Sequence, residues 1–127
     1  MKYVTETSKP VPQALEDLEK AVQDHGFGIL HTYDLKATLK EKGHDLPHAC
    51  HILEVCNPSQ AVKVLSEDMD MNIALPCRIS VYEEGGTTKI GMAQPTALLA
   101  QLSDSPKLGR IAREVEDTMM AMIRDTV

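Results

Sequence analysis

The sequence predicts an α+β domain, a mixed β-sheet of about five strands with helices packed on one face. Three observations carry this reading. Segments of period-two apolar alternation are interleaved with segments of helical spacing in the first half of the chain. A Gly-Gly pair then joins two alternating runs as a hairpin, and two helical segments close the chain. At 127 residues the chain makes one domain, residues 1–127, because a second independent core would not fit.

Lys2 to Thr7 alternates and carries Tyr3, Val4 and Thr5, so it is expected as a short strand. Ser8 is positioned to cap the following helix, and Pro10 and Pro12 fall in its first turn, where a missing N–H costs little. Val11, Ala14, Leu15, Leu18, Ala21 and Val22 then recur at helical spacing until Gly26. Phe27 to Tyr33 is expected as the second strand, and Asp34 as the cap of a short helix through Lys42. His48 to Cys56 gives the third strand. Asn57-Pro58 opens a helix to about Glu67, with Asn at the N-cap and Pro in the first turn. Leu75 to Glu83 and Thr87 to Ala93 flank the Gly85-Gly86 turn. Pro95 begins a helix through Leu102, and Ser105-Pro106 starts the last helix. Its apolar stripe is Leu108, Ile111, Ala112, Val115, Met119, Met122 and Ile123.

Composition narrows the function classes. The charge sum of −6 argues against a binder of phosphate backbones. With one Phe, three Tyr and no Trp, the chain is poor in the rings that base-stacking platforms and aromatic cages need. No window reaches the 18 or so apolar residues of a membrane span. Met1 to Gln13 lacks a signal-peptide core, and three cysteines are too sparse for a disulfide scaffold. A reducing cytoplasm is the expected compartment. No pattern implies a cofactor: Gly26-Phe27-Gly28 has neither Walker nor dinucleotide spacing, and no nucleophile elbow or His-Glu-x-x-His motif occurs.

Four segments together resemble one known family: GFGIL (Gly26 to Leu30), DLKATLKEKG (Asp34 to Gly43), ILEVCNP (Ile52 to Pro58) and ALPCRISVYE (Ala74 to Glu83). This combination is similar to the domain of unknown function 302 family, from roughly Ser8 to the last helix. The resemblance implies a small α+β fold that forms homodimers and carries no established activity. Cys56, Asn57 and Pro58 match the family's Cys-Asn-Pro, Leu75, Pro76 and Cys77 match its Leu-Pro-Cys, and Asp34 and Lys42 also fall on its pattern. The chain departs from it at Cys50, where an aromatic is usual, and at Glu54, where a small residue is.

Cys56 is the foremost candidate for chemistry. It ends a strand immediately before a helix start, where free N–H groups and the positive end of the helix dipole favour thiolate. The carboxyl end of a strand facing a helix N-terminus is also a common ligand address. The competing reading is a small buried hydrophobe closing the strand. Cys77 follows Pro76, which removes a ladder donor. A strand–helix–strand crossover between the two cysteines would make their strands parallel and hold the thiols far apart, whereas an antiparallel pair would reverse that. His48 and Cys50 share a strand face and offer two metal ligands, but a third must come from His44 or another chain; incidental surface histidines are the competing reading. Lys36, Lys40 and Lys42 make a basic island beside Asp34, either an anion-binding edge or a solvated helix face.

Three functional expectations result. The first is a homodimeric module that binds a small ligand or anion at the Cys56-Asn57-Pro58 helix start, with Cys77, Asp34 and Lys42 as further ligand-binding candidates. The second is a thiol-dependent redox, sulfur-handling or metal-binding protein using Cys56 and Cys77. The third is an assembly domain without a ligand.

Overall fold

The computed structural model describes all 127 residues. Five strands, β1 (Lys2–Thr7), β2 (Gly28–Asp34), β3 (Cys50–Cys56), β4 (Cys77–Glu84) and β5 (Thr87–Ala93), form one sheet in the order β1-β5-β4-β3-β2. Five helices accompany them: α1 (Val11–Asp24), α2 (Leu35–Glu41), α3 (Pro58–Glu67), α4 (Pro95–Leu102) and α5 (Pro106–Thr126). The α+β class is as the sequence predicts.

Every strand pair is antiparallel, which corrects the expectation of a mixed sheet. The βαβ-like start of the chain is a genuine crossover, but it joins the two edges of the sheet rather than neighbouring strands. β1 and β2 run the same way and never pair. The 14 residues of α1, about 21 Å long, make the connection and pack on α5, β2 and β4. The second crossover, between β3 and β4, is undone by a 3₁₀ segment at Met69–Ala74 that the apolar pattern does not announce. This segment packs on α3 and turns the chain back, so the connection leaves and rejoins the same end of the sheet. Val55 therefore stands opposite Cys77.

Local chemistry explains most element ends. Asp34 accepts from the Ala37 N–H at 3.0 Å, Asn57 from Gln60 at 3.2 Å and Ser105 from Leu108 at 3.4 Å, each filling an orphan donor of a first turn. Ser8 does not cap α1: the N-cap is Pro10, without a side-chain bond. α4 is capped from elsewhere in the fold. Glu116 of α5, only 3% exposed, accepts from the Thr96 N–H at 3.1 Å and its hydroxyl at 2.7 Å. Gly85 and Gly86, at φ +59° and +78°, supply the left-handed turn that a two-residue hairpin needs.

One face of the sheet meets α1 and α5 in a 16-residue core that includes Leu18, Leu53, Ile79, Ile90 and Met119. A smaller cluster joins α3, the 3₁₀ segment, α4 and α5 through Val64, Met71, Leu99 and Leu108. The opposite face carries a row across all five strands, Val4–Gly91–Ser80–Ile52–Tyr33. Val4 is 40% exposed and Tyr33 39%. No helix is long and apolar enough to cross a membrane.

Candidate functional site

The antiparallel register sorts the chemistry-bearing residues to two ends of the sheet. Cys56, Asn57 and Cys77 gather where β3 ends, β4 begins and α3 starts. Asp34, Lys42, His48 and Cys50 lie at the other end. Asp34 pairs in register with His51, and Gly28 with Cys56, so the two groups stand about 17 Å apart along β3. Asp34 is occupied as the cap of α2, and Lys42 closes that same helix. No group of three or more His, Cys, Asp or Glu side chains comes together anywhere, so His48 and Cys50 find no third ligand within the chain.

At the Cys56 end the expected separation of the two thiols is overturned. Cys56 and Cys77 are both free and both line one cavity of about 290 Å³, walled by α3, the start of β2 and the Leu75–Pro76 segment. Burial pushes the Cys77 thiol up to about 11, with Cys56 beside it adding a smaller push the same way. Ten of the 14 residues around this α3 cavity are hydrophobic, Phe27, Leu30 and Leu65 among them. With the two cysteines counted among the ten, its polar side chains are Asn57, Gln60 and Asn72, and none is charged.

Gln60 is the residue that the sequence pattern passes over. It sits at the third position of α3, and its Nε2 donates to Glu114 at 3.1 Å. The other end of the amide, Oε1, is buried without a hydrogen-bond partner. An unpaired buried acceptor costs about 1–3 kcal/mol, so this group is a standing demand for a donor. Nothing in a helix-start pattern marks such an atom. Its signal is tertiary, the approach of Glu114 from α5.

A second cavity, of about 270 Å³, lies on the other side of Leu75, Pro76 and Cys77 and is lined by α4, α5 and the first residues of β4. Beside it the β4–β5 ladder runs from Ser80–Gly91 to Glu84–Thr87 and does not extend to Cys77–Ile79. Arg78 is the charged residue on its lining. The sequence singles out neither Arg78 nor α4 as part of a site.

A small antiparallel α+β domain with two apolar cavities at one end of its sheet is the class that fold and site define. The family model "Domain of unknown function DUF302" matches residues 3–126, and the chain belongs to that family. It is similar to a crystal structure described as an uncharacterized conserved protein DUF302 from Bacillus stearothermophilus, at 37% identity and a TM-score of 0.95, covering 99% of this chain and 98% of that one. No curated protein matches the chain.

Proposed function

We propose that this protein is a homodimeric small-ligand-binding module whose site is the α3 cavity at Cys56-Asn57-Pro58, and that its ligand is mainly apolar and donates one hydrogen bond. The buried, unpartnered Oε1 of Gln60 on a mainly apolar, uncharged lining carries this reading. It supports a neutral occupant over an anion, because the lining offers no cation and Asn57 already occupies the Gln60 N–H at the start of α3. The site follows a common logic of ligand pockets, with apolar walls for affinity and few polar atoms for orientation.

Indole tests it, being an apolar bicycle with one N–H donor, alongside 1-methylindole, which lacks that donor. Indole is expected to raise the melting temperature of the wild type in a concentration-dependent way, and 1-methylindole to do so far less. Gln60→Met should erase the difference between the two probes, and Ala61→Phe, which fills the cavity, should remove binding of both. Equal responses to indole and 1-methylindole in the wild type would overturn the assignment.

The thiol reading gains one supporting observation, the shared cavity of Cys56 and Cys77. Against it, a thiol titrating near 11 is overwhelmingly protonated at neutral pH, so Cys77 is a poor nucleophile or metal ligand there. Thiol chemistry in this fold would fall to Cys56, with Cys77 as its neutral neighbour.

A further inference from the structure

We infer that a third cavity, at the hairpin end of the sheet, is a binding site for a free α-amino acid with a polar side chain. Its ammonium group rests on Glu83, and its carboxylate on the Thr7 and Thr88 hydroxyls at the start of α1. The cavity measures about 550 Å³, and only two of its 11 lining residues are hydrophobic. Strand register assembles its walls. Thr88 stands opposite Thr7 on β1 and opposite Glu83 on β4, so the three share the sheet face that carries the core residues Ile90 and Val81. The segment from Ser8 to Pro12, which leads into α1, lines the cavity beside them.

Buried hydroxyls without an acceptor point to a ligand here. Four polar residues are buried in the chain, and two are satisfied within the fold, Glu116 by Thr96 and Thr126 by the Met122 carbonyl. The other two are Thr7 and Thr88, each 7% exposed. Thr7 Oγ1 accepts from the Lys9 N–H at 3.3 Å, which leaves its own proton to donate. The Thr88 hydroxyl has no partner in the chain and lines the cavity. No side chain caps α1, and Val11, on the cavity lining, offers its N–H between two prolines. The positive end of that 14-residue helix favours a carboxylate at this point. Charge completes the case. Lys9 is the cation on the lining, but its ammonium is held at 2.7 Å by both Asp17 and the Thr126 carbonyl. Glu83 is the carboxylate on the lining, and its side chain engages no partner in the fold. A bare anion is opposed by Glu83, and a bare cation leaves the hydroxyl donors unmatched. The α-ammonium carboxylate of a free amino acid carries both charges side by side and satisfies both walls. Ser8 and Thr87 add hydroxyls for a polar side chain. At roughly 30 Å³ per water-sized group the cavity admits such a molecule together with several waters.

This site lies at the opposite end of the sheet from the α3 cavity and shares no lining residue with it. The probe is L-glutamine, titrated by calorimetry into the full chain. Two controls each lack one half of its head group: glutaramate has no ammonium, and 4-aminobutanamide has no carboxylate. L-Glutamine is expected to bind at one site per chain, about tenfold or more tighter than either control. Glu83→Gln should weaken L-glutamine about tenfold and leave glutaramate no weaker. Thr88→Val keeps the side-chain shape and removes the hydroxyl, so it should weaken L-glutamine and glutaramate alike, whereas Thr88→Ser should bind L-glutamine as the wild type does. Thr88→Val should keep indole and Ala61→Phe should keep L-glutamine, so the two site assignments fail separately. No L-glutamine binding by folded wild type, either control binding as tightly, unchanged affinity in Glu83→Gln or Thr88→Val, or loss of L-glutamine in Ala61→Phe would each overturn the proposal.

Discussion

Cys77 shows how much a single residue's surroundings alter its chemistry. In a fully solvated strand its thiol would titrate near 9.0, but packed against the core it titrates near 11. Because the folded value exceeds the unfolded one, the folded state holds its proton longer. Stability from this group is complete below pH 9 and falls as pH rises toward 11. Two units at 1.36 kcal/mol each amount to about 2–3 kcal/mol. Urea melts of the wild type between pH 8.5 and 11 should show that decline, and Cys77→Val should flatten it. Alkylation gives the second readout. With iodoacetamide at pH 8, folded protein should retain an unmodified Cys77 while denatured protein loses it.

At the scale of elements, the least expected dependence is that of α4 on α5. Gln94 at its N-cap makes no side-chain bond, and the Glu116 carboxylate does that work from another helix. Glu116→Ala should cost about 1–3 kcal/mol in denaturant unfolding, since it strands donors at a helix start. Glu116→Gln keeps an acceptor oxygen and should recover part of the loss. The hairpin turn makes a contrasting case, in which local sequence suffices. Gly85 and Gly86 both hold positive φ, and no atom lies within 4 Å of where a methyl group would stand, so backbone strain alone opposes a side chain there. Alanine at either position should cost about 1–2 kcal/mol, measured the same way.

For the molecule as a whole, the sheet face opposite α1 and α5 is the surface on which the proposed homodimer is tested. Its central row, Val4–Gly91–Ser80–Ile52–Tyr33, sets three larger side chains around a Gly and a Ser and runs between charged pairs such as Lys89–Glu84 at 2.7 Å. Antiparallel sheets do present one face to water, so exposure alone decides nothing. A homodimer through this face makes a definite prediction. Sedimentation equilibrium of the wild type at micromolar concentration should give twice the 14.0 kDa chain mass, and Ile52→Lys should give the monomer with an intact circular-dichroism spectrum. A wild type that sediments as a monomer would refute the dimer.

The sequence by itself determined the α+β class, the order of strands and helices, three of the helix caps and the hairpin turn, because each depends on contacts within a few residues. Periodicity marked which side of α1 and α5 is buried, and Asn57 as a cap, for the same reason. Only the tertiary structure decided that the sheet is wholly antiparallel. That turned on a short 3₁₀ reversal whose residues, Met69 to Ala74, carry no strong apolar period. One reversal changed the site. It set Cys77 against Val55, drew Cys56 and Cys77 to one cavity, and left Asp34, Lys42, His48 and Cys50 at the far end. The orphan oxygen of Gln60, the remote cap from Glu116 and the free hydroxyl of Thr88 were likewise beyond reach of a linear reading. Each is defined by a partner, or the lack of one, on an element distant in the chain, and such distances are settled only when the whole core packs.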